Sequence, residues 1–209
     1  MPSIQAVLFD FGGVFMDSPF AAVRAFGASQ GMAPERALAL LFGAYDADTD
    51  HPWHRLERGE LTLLEARQAI FELGDPEHRL DLFEALGSLR NASVRADMIE
   101  VAREARTRGV KTAIVTNNVR EFGDAWRAML PAEELFDVIV DSAHVGLRKP
   151  DPRIFRLALE RLGGVPPADA VFLDDYQGNV AAAERLGIRG ILVEEDHRPA
   201  LTLLRSLLA

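Results

Sequence analysis

The chain has 209 residues, 48% hydrophobic and 26% charged, with a net charge of −9, which suits one compact core plus a small accessory domain. Its basic residues are scattered among Asp and Glu with no stripe or tail to neutralise a phosphate backbone, so nucleic acid is excluded as a natural partner. Having no cysteine, it has no disulfide, no thiolate nucleophile and no cysteine-ligated metal.

The first predicted element is a strand over residues 4–10. Its apolar run, Ile4 to Phe9, closes on Asp10 and is followed at once by Phe11-Gly12-Gly13-Val14. Alone, an Asp before glycines is ordinary turn punctuation. Nearly eighty residues then intervene before the next strand, too many for a single crossover helix. Within 16–94, the segments Phe20–Gln30, Pro34–Phe42, Leu63–Leu73 and Pro76–Leu86 carry helical apolar spacing, with loops at Gly31, Asp46–Pro52 and Gly74-Asp75-Pro76. These residues are expected to form a second, helical domain.

From residue 95 the rhythm becomes regular. A helix over Arg95–Arg108 stops at Gly109 and leads into a strand over 111–116, which ends in Thr116-Asn117-Asn118. A helix over Glu121–Met129 and a strand over 137–141 come next. Lys149-Pro150 precedes a helix over Pro152–Leu162 that stops at Gly163-Gly164. A strand over 170–174 ends in Asp174-Asp175, and a helix over Asn179–Leu186 stops at Gly187 before a last strand over 190–194.

None of these strands alternates apolar with polar residues, as expected of parallel strands buried on both faces. Strand–helix alternation with right-handed crossovers predicts a doubly wound α/β sheet, with its ligand site outside the carboxyl ends of the strands. Asp10, Thr116, Lys149 and Asp174-Asp175 all fall at that edge. The expected domains are therefore 1–15 with 95–209 as the α/β core, and 16–94 as the helical insertion. Flexing segments are expected near Met16–Pro19 and Ser88–Val94.

Four such polar sets in this order resemble the haloacid dehalogenase superfamily, composed mostly of magnesium-dependent phosphatases. The resemblance rests on Val7 to Val14, Ala113 to Asn117, Val145 to Asp151 and Val171 to Asn179. Trp53-His54-Arg55-Leu56-Glu57-Arg58-Gly59-Glu60-Leu61-Thr62 is similar to the helical cap of one subgroup. That subgroup contains the amino-terminal phosphatase domain of soluble epoxide hydrolase and bacterial sugar-1-phosphate phosphatases.

The resemblance implies a role for each set. Asp10 would attack phosphorus to give an aspartyl-phosphate, splitting one hard displacement into two easier ones. Thr116 and the backbone amide of Asn117 would donate to phosphate oxygens, and Lys149 would set a point charge against them. Asp10, Asp174, Asp175 and the backbone carbonyl of Gly12 would hold Mg²⁺, a hard cation that prefers oxygen ligands. Asn179 would cap the following helix and support the metal loop.

Gly12 departs from the family. Most of its phosphatases place a second aspartate there, which protonates the leaving group. Such assistance is worth roughly 10² to 10⁴ in rate. Sister activities are disfavoured: residues 16–94 contain no lysine for a Schiff base, the mutase aspartate is missing, and dehalogenases replace the acidic pair that is intact here.

The expected activity is thus a Mg²⁺-dependent phosphomonoesterase acting on a small phosphorylated metabolite. The alternative is a catalytically weak member binding a phosphorylated ligand or a protein partner. No apolar run approaches the roughly 18 residues needed to cross a bilayer and the first residues enter a strand directly, so no membrane association and a cytoplasmic location are expected.

Weaker features carry plainer readings. His51-Pro52-Trp53-His54 lacks a third ligand, and Pro52 is expected to break the helix that would align the imidazoles. Trp53, Phe20, Phe42 and Tyr45 are expected to pack the cap. Arg55-Leu56-Glu57-Arg58 with Glu60 reads as a salt-bridged helix face, and Asn91-Ala92-Ser93 as a turn.

Overall fold

The computed structural model describes residues 3–74, 79–87, 93–123 and 126–209. Five parallel strands form one sheet: β1 (Ala6–Phe9), β2 (Lys111–Thr116), β3 (Val138–Asp141), β4 (Ala170–Asp174) and β5 (Arg189–Leu192). Their spatial order is β3-β2-β1-β4-β5. In register, Phe9 stands beside Ile114 of β2 and Leu173 of β4. The first four match their predicted bounds or lie one or two residues inside them, whereas β5 starts one residue before its predicted start and ends two before its predicted end.

Alternate residues of β1 feed two separate cores. Val7 and Phe9 face α6 (Ala96–Thr107) and α11 (Arg198–Leu208), meeting Met98, Val101, Leu201 and Leu204. Ala6 and Leu8 face α9 (Pro152–Arg161) and α10 (Gln177–Glu184), meeting Ile154, Phe155, Leu159 and Ala183. Helices on both faces explain why the strands read as continuous apolar runs. The sheet is the expected doubly wound α/β fold. The order in which strands are added reverses between β1 and β4, β2 and β3 lying on one side of β1 and β4 and β5 on the other, the place where such sheets open a crevice.

Between β1 and β2 the chain builds α1 (Pro19–Ser29), α2 (Pro34–Phe42), α3 (Pro52–Glu57), α4 (Leu63–Leu73) and α5 (Leu82–Gly87). They enclose their own apolar cluster, including Val23, Leu41, Leu56 and Ile70, to which the core loop contributes Val119. The chain leaves and re-enters the sheet region side by side. Met16 and Val94 form an antiparallel bridge, and Arg95 N donates to Phe15 O at 2.8 Å.

Local expectations changed in several places. Pro52 does not break a helix; it starts α3, because a proline at the first helical position lacks only an N–H that would be unpaired anyway, and His51 Nδ1 caps the turn by accepting from Trp53 N at 3.2 Å. In place of a helix over Glu121–Met129, the described residues form two single 3₁₀ turns, Arg120–Phe122 and Arg127–Met129. Gly123, at φ 44° after the first turn, leaves the right-handed helical region. Short helices α7 (Ala132–Leu135) and α8 (Ser142–Val145) flank β3. Residues 75–76 of the predicted loop, 76–78 of the predicted fourth helix, 88–92 of the flexing segment and 91–92 of the Asn-Ala-Ser turn lie outside the described residues.

Candidate active site

Asp10 follows β1 directly, and its backbone N donates to Leu173 O of β4 at 2.8 Å. That bond draws the ends of β1 and β4 together. Lys149, from the loop after α8, is fully buried between them. Its Nζ lies 2.8 Å from Asp10 Oδ1 and donates to Asp174 Oδ2 at 2.7 Å. The ammonium group is thus held between two carboxylates and shielded from solvent.

Each aspartate is held from its own loop. Asp10 Oδ1 accepts from Phe11 N at 2.7 Å. Asp174 Oδ1 accepts from Tyr176 N at 2.8 Å, and Asn179 Nδ2 donates to both Asp174 oxygens at 3.2 and 3.1 Å. Asn179 thus supports Asp174 from inside α10, where the capping position belongs to Tyr176. Asp175 accepts from Ser18 Oγ, a residue at the mouth of the insertion.

Asp10, Asp174 and Asp175 each present a carboxylate oxygen within 4.8 Å of the others. Burial pushes Asp10 up to about 7, with Lys149 pulling it back and Asp174 pushing it further. Asp175 rises to about 8 through burial, then through the charges of Asp174 and Asp10. Burial alone would lower the Lys149 ammonium, but the Asp10 and Asp174 carboxylates outweigh it and hold it above the usual lysine value. Crowded hard oxygen donors with too little positive charge among them fit a divalent cation such as Mg²⁺.

Two adjacent glycines play different parts. Gly13 has φ 71°, and a Cβ there would sit 2.1 Å from the Asp175 carboxyl group, so only glycine fits. A Cβ on Gly12 would meet nothing closer than Pro19 Cδ at 3.5 Å. The missing side chain at position 12 is therefore not demanded by the backbone.

Thr116 is the last residue of β2 and is buried. Asn117 next to it clamps the Lys149 backbone, accepting from Lys149 N at 2.7 Å and donating to Lys149 O at 3.0 Å. The Lys149–Pro150 peptide is cis. Asp10, Gly12, Thr116, Asn117, Lys149, Asp174 and Asp175 are thus gathered at one edge of the sheet.

The structure also brings in Arg148, which carried no expected role, and joins it to Glu57 and Tyr45. Arg148 is fully buried and its Nε donates to Glu57 Oε2 of α3 at 2.7 Å. Tyr45 OH donates to Glu57 Oε1 at 2.8 Å and accepts from Asn117 Nδ2 at 3.2 Å, while the guanidinium lies 4.7 Å from the Tyr45 ring centroid. Burial, and then the Glu57 charge, push the Tyr45 phenol well above its usual range, so it stays a neutral donor. Glu57 is not on a surface face: the surface pairs are Arg55–Glu60 at 3.3 Å and Arg58–Glu60 at 2.6 Å. The signal was present, since Trp53, Leu56 and Glu57 share an i, i+3, i+4 stripe.

A cavity of about 680 Å³ opens between the insertion and the core, reaching Gly12, Thr116 and Asn117 at its inner end. The four aromatic residues expected to pack the insertion do so in part: Phe20 and Phe42 approach at 5.5 Å and Phe42 and Trp53 at 4.8 Å between ring centroids. All four, Tyr45 included, also line this cavity.

The chain belongs to the haloacid dehalogenase-like hydrolase family, whose model matches residues 4–187. It is 33% identical over 198 residues to mouse acyl-CoA dehydrogenase family member 10, covering 92% of this chain and 18% of that protein. It is 35% identical to the phosphoserine phosphatase of Thermus thermophilus over 138 residues, 64% of this chain and 54% of that one. Mouse bifunctional epoxide hydrolase 2 is 29% identical over 180 residues, 76% of this chain and 32% of that protein, in keeping with the expected subgroup. The chain thus spans about half or less of the length of these relatives. Its fold matches that of a haloacid dehalogenase-family enzyme from Bacteroides thetaiotaomicron, solved with magnesium and inorganic phosphate, at a TM-score of 0.62 and 18% identity over 93% of this chain and 96% of that one. Among the described residues, no helix is long and apolar enough to cross a membrane.

Proposed function

We propose that the protein is a Mg²⁺-dependent phosphomonoesterase acting on a small phosphorylated metabolite through an aspartyl-phosphate. The observation that carries this reading is the Lys149 ammonium seated between Asp10 and Asp174 where the strand order reverses. In this scheme a carboxylate oxygen of Asp10 attacks phosphorus, forming the Asp10–phosphorus bond as the bond to the ester oxygen breaks. The departing alcohol takes its proton from solvent, because Gly12 offers none. A water then attacks phosphorus and breaks the acyl-phosphate linkage, releasing inorganic phosphate and regenerating Asp10.

Lys149 and Thr116, with the Asn117 amide, hold the non-bridging oxygens during both steps, and Asn117 fixes the Lys149 backbone. Asp10, Asp174, Asp175 and the Gly12 carbonyl would bind the cation, which supplies positive charge to the transferring phosphoryl group. Residues 16–94 serve as a cap over a core made of 1–15 and 95–209, the paired segments at Met16 and Val94 forming its stem. No nucleic-acid or membrane partner enters this scheme, and a cytoplasmic location is part of the proposal.

The test is phosphate release from p-nitrophenyl phosphate, assayed with Mg²⁺ and after chelation. That leaving group needs no protonation, so a competent Asp10 shows itself even with glycine at position 12. Absence of Mg²⁺-dependent release would overturn the reading.

A further inference from the structure

The cavity beside Asp10 has a chemical character that narrows its occupant. Its 680 Å³ falls within the range of about 300–1,000 Å³ typical of small-molecule sites. Rings dominate its wall, among them Phe20, Phe42, Trp53, Phe83, Phe122 and Trp126. Among the described residues it is lined by no Arg, Lys or His. Its two charged lining residues are acidic and already engaged: Glu57 with Arg148, and Glu121 with the backbone N of Leu63 at 2.6 Å.

A second phosphate or a carboxylate on the substrate would therefore enter this cavity without a counterion, at a large desolvation cost. A sugar would exchange its water hydrogen bonds for aromatic faces. The open position at Gly12 adds an independent constraint, since a group that leaves without an acid must be weakly basic. A phenolate meets that requirement far better than an alkoxide.

We propose that the cavity is the leaving-group site for aryl phosphate monoesters, compounds with one phosphate on a large, apolar aromatic body. The proposal rests on the phosphomonoesterase reading above. Asp10 takes the phosphoryl group at the inner end, the aryl–oxygen bond stays intact, and the released phenol departs through the side flanked by Phe83 and Phe122, both partly exposed at 40% and 36%.

The test compares kcat/KM for phenyl, 1-naphthyl, n-octyl and glucose 6-phosphates with Mg²⁺. Phenol and 1-naphthol are similar leaving groups, so a rise of at least tenfold from phenyl to naphthyl reports binding of the second ring. Octyl and glucose phosphates are expected to react at least a hundredfold more slowly than naphthyl phosphate. Phe122→Glu is expected to lower the naphthyl-to-phenyl ratio at least threefold. Turnover that favours glucose 6-phosphate, matches for octyl and naphthyl phosphate, or leaves the ratio unchanged in Phe122→Glu would overturn the aryl assignment while leaving the phosphatase reading intact.

A binding arm separates the two failures. Trp53 and Trp126 are the chain's two tryptophans and both line the cavity, so their fluorescence reports occupancy without turnover. Even in a chain that hydrolyses nothing, 1-naphthylmethylphosphonate is expected to bind at least tenfold more tightly than methylphosphonate. Equal affinities, or no fluorescence change with either, would overturn the proposal.

Discussion

Arg148 Nε and Glu57 Oε2 meet at 2.7 Å with both side chains buried, although the two residues are 91 positions apart. The contact ties the helical insertion to the loop that carries Lys149, the next residue along. Removing one member strands the other charge in a low-dielectric interior, which costs about 3–5 kcal/mol. Glu57→Gln and Arg148→Met are each expected to destabilise by that order in denaturant titrations and to reduce turnover by letting Lys149 drift. The double variant should recover part of the loss, and strictly additive effects would show that the pair does not act as a unit.

Asp10→Asn is expected to bring turnover to background with the fold retained, because the amide keeps the shape but cannot attack phosphorus. Its melting temperature should not fall, since the carboxyl group is held well above its ordinary pKa, to about 7, by burial. Phosphate release comparable to the parent enzyme would remove Asp10 from the scheme.

Around the cation site the expected order of effects follows burial and contacts. Asp174→Asn should weaken Mg²⁺ binding most and Asp175→Asn less. Asn179→Ala, which frees both Asp174 oxygens from their shared donor, should weaken it by about 10–100-fold. Lys149→Met should chiefly weaken phosphate and vanadate binding. Calorimetric Mg²⁺ titrations unchanged in both aspartate variants would mean that the cation binds elsewhere.

Gly12→Asp tests the open position directly, and the nearest atom to the new Cβ, Pro19 Cδ at 3.5 Å, leaves it room. The parent is expected to show kcat/KM falling steeply as leaving-group pKa rises across aryl and alkyl phosphates. The aspartate should flatten that slope by protonating the poor leaving groups. A shallow slope already present in the parent would point to another proton donor.

His54, in the helical insertion, offers a pH-dependent test. Its Nδ1 accepts from Thr49 N at 3.0 Å, which requires an unprotonated nitrogen. Burial first, and then the Arg148 and His51 charges, lower its pKa to about 3. A histidine that is less basic folded than unfolded leaves the unfolded chain holding more protons below about 6.5. Its contribution to stability is therefore complete above 6.5 and is lost as pH falls from there towards 3. His54→Asn should make the melting temperature less sensitive to pH across that window; parallel curves for variant and parent would refute the assignment.

The strands were legible because a parallel strand covered by helices on both faces is written locally, as a short apolar run such as Val171 to Leu173 with a polar residue at its end. The same rule put Asp10, Thr116 and Asp174 at one edge of the sheet before any coordinates. Prolines and glycines bounded most helices correctly, although Pro52 opened a helix it was expected to break, because a proline's effect depends on which turn of the helix it occupies. What only the tertiary structure decided were the relations between distant segments. The order β3-β2-β1-β4-β5 sets β4 against β1, and so makes Lys149 the shared partner of Asp10 and Asp174. Glu57 read as part of a salt-bridged helix face and Arg148 carried no reading of its own until packing buried both together. The character of the cavity likewise depends on which faces of the inserted helices turn towards the sheet. Local patterns record whether a residue is buried, whereas partners and cavities depend on chain crossings that no short window of residues contains.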